Sequence, residues 1–151
     1  MRNTAIVVAL LDTLLFAACD NNKTPTTPAP TQIDVTGRWA GDLSFQGVTA
    51  RTTWTLTQSG NAVTGPVILA LPSGTVLLNG SLTGTMTGPS LAYTIAVAPG
   101  GIPLQPSCTG QLGGTMTVTQ LTTSTMSGMI GVTTSTCPIQ FSSSTLVLTK
   151  Q

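Results

Sequence analysis

The sequence predicts an all-β domain over residues 34–151, an antiparallel up-and-down barrel of about eight strands that follows a signal peptide and a disordered tether. Apolar and polar residues alternate in short runs separated by Gly, Asn, Ser and Pro, which is typical of all-β sandwiches and barrels. No run keeps the period of an amphipathic helix. Hairpin-like connections between successive runs favour a meander, and eight strands of about nine residues with turns of about five need about 112 residues.

The alternation divides the domain into eight runs in chain order. The predicted strands cover residues 37–45, 51–58, 62–70, 75–87, 91–97, 108–118, 125–132 and 141–150. Ser-Gly-Asn at residues 59–61 predicts a tight hairpin between the second and third strands. In the last strand Phe141 differs in parity from Leu146 and Leu148, which predicts a β-bulge within residues 142–144.

The same alternation predicts which face of each strand points into the core. Trp39, Leu43 and Phe45 share one face of the first strand, and Trp54 and Leu56 share one face of the second. Glycines recur on this inward parity, at Gly41, Gly80, Gly84, Gly110 and Gly128. Two interpretations of these glycines are open: they relieve crowding in a small, strongly coiled barrel, or they leave room for a ligand.

The charge pattern excludes several classes of function. The chain has five basic and four acidic residues and no His, and residues 52–149 carry no charged residue at all. General acid–base catalysis relies on His, carboxylates or Lys, and a Ser-His-Asp triad is impossible without His. Metal sites need His, Cys or carboxylate ligands, and nucleic-acid binding needs Lys and Arg. We therefore expect no catalytic residue and no enzymatic activity, and neither a cofactor, a metal nor a nucleic-acid partner.

The N-terminus predicts export. Arg2 precedes an apolar run over residues 5–16, and Ala17, Ala18 and Cys19 follow, as in a secretory signal peptide over residues 1–18. This ending resembles the bacterial lipobox, and the resemblance implies a diacylglycerol on Cys19, cleavage before it, and anchoring to a membrane of the cell envelope. The alternative is an ordinary signal peptide cut near Ala17 or Ala18. Residues 19–33 are rich in Pro and Thr, which predicts an extended, hydrated tether.

The remaining cysteines predict a disulfide. If Cys19 carries lipid, Cys108 and Cys137 are the two left to pair in an oxidising compartment. The alternative is a reactive thiol, which needs a cationic or His neighbour to stabilise the thiolate. The chain offers few such neighbours, so a structural disulfide is the prediction.

The first and last predicted strands resemble those of calycins, the group that includes lipocalins and avidins. Gly37-Arg38-Trp39 lies on the first strand and Lys150 ends the last. The resemblance implies that Gly37 and Trp39 close one end of a meander barrel under Lys150, and that the other end often holds a small apolar ligand. The chain has no Trp after Trp54, so no biotin site is implied.

Two functions follow from these observations as alternatives. The first is an envelope-anchored lipoprotein whose barrel binds a small apolar ligand, with Trp54, Tyr93 and Phe141 lining the site; these aromatics fit a filled core equally well. The second is a structural or protein-interaction lipoprotein with a solid barrel. A closed apolar cavity of about 300 Å³ or more would favour binding, and a filled interior would favour the second function.

Overall fold

The computed structural model describes residues 33–45, 47–120, 123–138 and 143–151. The predicted signal peptide, Cys19, nearly all of the tether and Phe141 lie outside these residues, as does the side chain of Phe45. The described chain contains eight strands, which are β1 (Gly37–Phe45), β2 (Val48–Ser59), β3 (Ala62–Ala70), β4 (Val76–Thr87), β5 (Ser90–Val97), β6 (Gly110–Gln120), β7 (Ser124–Ser135) and β8 (Ser144–Lys150).

The eight strands form a closed antiparallel barrel in the order in which they occur along the chain. Each strand pairs with the next, and β8 pairs with β1 through Trp39–Lys150 and Ala40–Thr149. The predicted fold class is therefore confirmed. Among the described residues there is no helix with the length and apolarity needed to cross a bilayer.

Some strands are longer than predicted. There the backbone continues to pair with its neighbour past the last residue of the alternating apolar and polar pattern. β2 begins three residues earlier than predicted, because Val48 pairs with Phe45 across a tight turn even though Val48 is exposed. β7 runs on to Ser135, which pairs with Gly110 beyond a register shift between Gln111 and Leu112. The predicted bulge in the last strand covers residues 142–144, of which residue 142 lies outside the described chain, and β8 begins only at Ser144.

The inward face of the strands forms one continuous core. The two tryptophans, Trp39 and Trp54, are fully buried, together with Leu, Val, Ile and Met side chains from every strand. Thr and Ser dominate the outward face, and their hydroxyl groups can hydrogen-bond water on a surface that has few charges. The alternation of the sequence thus predicts the burial pattern of each strand.

The inward glycines lie where neighbouring strands approach each other closely. A Cβ atom at Gly41 would collide with the backbone oxygen of Val147, and one at Gly128 would collide with that of Thr115. At Gly84 the Cβ would lie 2.8 Å from the backbone oxygen of Ala92. The first interpretation of the glycines is therefore correct at these positions: they allow close packing of coiled strands rather than room for a ligand.

Candidate functional site

One end of the barrel, here called the floor, is closed by Trp39. Its indole is fully buried, and its Nε1 donates a hydrogen bond of 2.7 Å to the backbone oxygen of Val35. Val35 is itself fully buried and belongs to the segment that leads into β1. The chain therefore seals the floor with residues that precede the first strand as well as with Trp39.

Two glutamines fasten this leading segment beneath the barrel. Gln58 accepts a hydrogen bond of 2.9 Å from the backbone N–H of Val35 and donates one of 3.0 Å to the backbone oxygen of Ile33. Gln120 donates a hydrogen bond of 3.1 Å to the backbone oxygen of Asp34. Neither glutamine could be predicted as a contact from the sequence, since nothing local distinguishes a glutamine near the end of a strand from any other polar residue there.

Lys150 lies at the floor above the Trp39 ring, as the resemblance to calycins implies. Its Nζ is 5.6 Å from the centre of the ring, and a Cβ atom added at Gly37 would lie 2.9 Å from the Cε of Lys150. Gly37 also has a φ of 129°, which a residue with a side chain rarely adopts. A larger residue at position 37 would therefore strain the backbone and push Lys150 off the indole.

The middle of the barrel holds the other aromatic residues and one buried hydroxyl. The rings of Trp54 and Tyr93 meet edge to face, with centroids 5.0 Å apart. Trp54 Nε1 donates a 3.0 Å hydrogen bond to the hydroxyl of Thr52, and the Tyr93 hydroxyl donates one of 3.1 Å to the backbone oxygen of Met129. Burial raises the pKa of Tyr93, so the phenol stays protonated. Both aromatics therefore belong to the core, one of the two placements that the sequence left open.

The opposite end, here called the mouth, contains a partly open apolar cavity of about 120 Å³. Neither Trp54 nor Tyr93 is among its lining residues, and Phe141 lies outside the described chain. Its walls come from the mouth ends of β1 and β3–β7, together with two loop residues, and the lining residues are Leu43, Leu69, Leu77, Leu78, Val97, Ile102, Thr109, Gly110, Gln111, Leu112, Val132, Thr134 and Ser135.

Among the described residues, the cavity wall has mostly aliphatic side chains and no aromatic or charged one. Leu69 pairs with Leu78 on one side, and Leu112 pairs with Val132 on another. All four positions are only half-buried, whereas the apolar residues at the floor are fully buried. A sequence signal for this site exists: aliphatic residues of inward parity at strand ends that adjoin the longer loops.

The loop between β5 and β6 forms part of the mouth and is held by its own hydrogen bonds. The N–H of Asn79 donates to the backbone oxygen of Gly101 at 2.7 Å, which fixes the loop to β4. Within the loop, the N–H of Gly100 donates to the oxygen of Pro106 at 2.7 Å. Ile102 from this loop lines the cavity, and Leu104, two residues further on, is 73% exposed.

A disulfide joins two of the loops at the mouth. Cys108 and Cys137 have their sulfur atoms at bonding distance and their Cα atoms 5.3 Å apart. Cys108 lies in the β5–β6 loop and Cys137 follows β7. The hydroxyl of Thr136 also accepts a hydrogen bond of 2.9 Å from the N–H of Thr109. These links tie the β5–β6 loop to the cavity wall formed by β7.

The described charges lie at the floor or on the outer wall. Asp34 accepts a 2.8 Å hydrogen bond from the N–H of Thr36, and hydrogen bonding to Thr36 lowers the pKa of Asp34. Asp42 and Arg51 are 3.7 Å apart, and both are more than half exposed on the outer face of β1 and β2. Within the described residues no three His, Cys, Asp or Glu side chains come together as a metal site would require.

Comparison with known proteins identifies no relative. No family model matches the chain, no curated protein is significantly similar to it, and no solved structure matches its fold significantly.

Proposed function

We propose that this chain is an exported bacterial lipoprotein, anchored to the envelope through Cys19, with a calycin-like barrel whose mouth binds a small apolar group. The observation that carries the binding part of this proposal is the aliphatic cavity opposite the Trp39 floor. Apolar surface that faces a partly open cavity gains free energy when an apolar group displaces water from it.

The size of the cavity limits the bound group. Its volume of about 120 Å³ is well below the roughly 300 Å³ at which drug-sized ligand pockets begin. It is close to the engineered apolar cavity of about 150 Å³ that binds benzene. The proposed ligand is therefore a group of about six carbons, either a small molecule or one end of a longer one.

The proposed anchor rests on the N-terminal sequence. Ala17-Ala18-Cys19 after an apolar run supports lipidation of Cys19, and the Pro/Thr-rich segment that follows supports a spacer between membrane and barrel. The pairing of Cys108 with Cys137 is consistent with an oxidising compartment. The Gly37, Trp39 and Lys150 contact supports the calycin-like part of the proposal.

A second candidate function is a structural or protein-interaction lipoprotein. The filled lower part of the barrel favours it, since Trp39, Leu148 and Met126 leave no exposed surface there. In that case the cavity at the mouth would be a packing gap without a ligand.

Calorimetry with 1-hexanol distinguishes the two functions. We would use the exported protein with Cys19→Ser, so that no attached lipid competes for the cavity. Val132→Trp should fill the cavity and reduce the affinity at least tenfold, whereas Met129→Trp, on the exposed face of the same strand, should leave it unchanged. Absence of saturable binding to the parent protein would contradict the proposed ligand site.

The anchor is tested separately in the full chain. Cys19→Ser should release the protein from membranes and abolish labelling by fatty-acid analogues. Unchanged labelling and membrane partition in that variant would contradict lipidation of Cys19.

A further inference from the structure

We infer that the mouth docks against a lipid bilayer and that its cavity receives the end of a lipid acyl chain. This inference rests on the proposed function, because it names the source of the apolar group. Three features of the molecule carry it: the charge distribution between the two ends, the exposed leucine beside the cavity, and the length of chain that precedes the barrel.

The two ends of the barrel differ in charge. Asp34, Arg38 and Lys150 lie at the floor end, on or beside the start of β1 and the end of β8. The described residues of the connections at the mouth are 47, 71–75, 98–109, 136–138 and 143, and none of these is charged. Transfer of a charged side chain towards hydrocarbon is costly. The charged residues nearest the mouth are Asp42 and Arg51, which form an ion pair on the outer face, where Arg51 pairs with Ala70 at the end of β3. The mouth loops are therefore the part of the barrel that approaches a bilayer at the lowest such cost.

Leu104 provides an apolar side chain on the outside of the mouth. It is the most exposed of the large hydrophobic residues in the described chain, at 73%. The loop that carries it is fixed by the hydrogen bonds of Gly100 and Gly101, so Leu104 is held outward by an ordered backbone. Ile102 of the same loop lines the cavity, which places the exposed and cavity-lining residues on one continuous edge.

The segment before the barrel is long enough for the mouth to face the membrane. Thirteen residues, 20–32, separate Cys19 from Ile33, where the segment fastened at the floor begins, and a chain of that length reaches about 43–47 Å when extended. Strands of twelve residues are about 40 Å long, and tilting them by about 40° gives a barrel about 30 Å tall. A chain anchored at Cys19 can therefore pass along the whole barrel from the floor to a membrane at the mouth.

The cavity lining fits a hydrocarbon chain better than other apolar ligands. Most of its described side chains are aliphatic, and the polar ones are uncharged: Thr109, Gln111, Thr134 and Ser135. Among the described residues it has no aromatic ring on which a flat ligand would stack and no charge to pair with a carboxylate or phosphate. The Ser135 hydroxyl, at the rim, already accepts a hydrogen bond of 3.0 Å from the N–H of Cys137. The end of an acyl chain requires no polar partner, so it suits this lining, while its head group would remain at the bilayer surface.

Fluorescence quenching by brominated lipids tests the docking. The exported protein with Cys19→Ser would be mixed with phosphatidylcholine vesicles whose acyl chains carry bromine. Tryptophan introduced as Leu104→Trp should lose at least half of its added fluorescence. Tryptophan introduced as Met129→Trp, on the exposed barrel wall, should lose less than a tenth of it. Equal quenching of the two variants, or none, would overturn the inference.

Vesicle partition of charged variants gives a second measure. With the same vesicles without bromine, Leu104→Asp should weaken partition at least tenfold, and Met129→Asp should not change it by more than twofold. Similar losses in both variants would indicate non-specific adhesion and overturn the inference.

The 1-hexanol measurement separates failure of the inference from failure of the proposed function. One outcome is that the parent protein binds 1-hexanol and Val132→Trp prevents this binding, while Leu104→Trp is not quenched. That outcome would support the ligand site and contradict docking to the bilayer. If the parent protein shows no saturable 1-hexanol binding, both the proposed ligand site and the inference that it receives an acyl chain are contradicted.

Discussion

The floor and the mouth of this barrel are built from the same alternating strands, yet only the floor is filled. At the floor, Trp39, Met126 and Leu148 lie on the neighbouring strands β1, β7 and β8 and are fully buried. At the mouth, Leu69, Leu112 and Val132 leave a cavity of about 120 Å³ between them. The alternation of apolar and polar residues therefore determines which face of each strand points into the barrel. The size of the inward side chains and the adjoining loops determine whether the barrel interior is filled.

The connections at the two ends reinforce the contrast. The floor carries short turns such as Gly60–Asn61 and a leading segment fastened by Gln58. The mouth carries the β5–β6 loop, and a disulfide fixes that loop to the end of β7. We therefore expect substitutions at the floor to lower the free energy of unfolding more than substitutions at the mouth. This division is common in proteins whose loops carry function.

Removal of the floor aromatic should give the largest loss of stability. Trp39→Ala deletes a fully buried indole and its hydrogen bond to Val35. Substitutions of this kind in cores cost about 3–5 kcal/mol. Denaturant unfolding should show a loss in that range. A loss below about 1 kcal/mol, the mean for point substitutions generally, would contradict the role of Trp39 as the floor.

Loss of the disulfide should be the next largest effect. Cys108 and Cys137 are 29 residues apart, and the chain-entropy estimate for a loop of that length is about 3–4 kcal/mol. Unfolding of the Cys108→Ser, Cys137→Ser double variant should show a loss of up to that size. Thiol titration of the denatured parent protein without reductant provides the control and should find neither cysteine free. Two free thiols in protein exported under oxidising conditions would contradict the pairing.

Two substitutions that enlarge a side chain, one at each end of the barrel, test directly whether the floor is packed more tightly than the mouth. Leu148→Phe at the floor should cost about 1–3 kcal/mol, because a fully packed core cannot accept extra atoms without strain. Val132→Phe at the mouth has the cavity to expand into and should change stability by less than about 0.5 kcal/mol. Equal losses in the two variants would mean that the ends are packed alike.

The smallest loss of stability is expected when the ammonium group of Lys150, above the floor, is removed. Lys150→Met keeps most of the aliphatic stem but removes the ammonium that lies 5.6 Å from the Trp39 ring centre. An exposed cation–π contact contributes about 0.5–1 kcal/mol. A loss comparable with that of Trp39→Ala would show that Lys150, rather than the indole, closes the floor.

The sequence predicted the barrel well because strand alternation and turn residues are local properties. The inward positions of Trp39, Trp54 and Leu56, and the hairpin at Gly60, follow from parity and turn chemistry alone. The register of β1 against β8 could be predicted only through the resemblance to calycins, since about 110 residues separate Trp39 from Lys150.

The site was harder to predict, because a cavity depends on how side chains from distant strands meet. Trp54 and Tyr93 were candidates for lining as well as for the core, and their mutual contact places them in the core. Leu69 and Val132 line the cavity and share the inward parity of core residues, so only their position near strand ends beside the longer loops distinguishes them. The exposure of Leu104 is also a tertiary property, which arises from the hydrogen bonds that shape its loop.

The most direct test of the contrast between the two ends is methyl NMR under xenon, which enters dry apolar cavities. The exported protein with Cys19→Ser would be labelled at its Leu and Val methyl groups. Xenon should shift the methyl resonances of Leu69, Leu112 and Val132 and leave those of Val35 and Leu148 in place. Shifts of equal size at both ends, or none at the mouth, would contradict a filled floor beneath an apolar binding cavity.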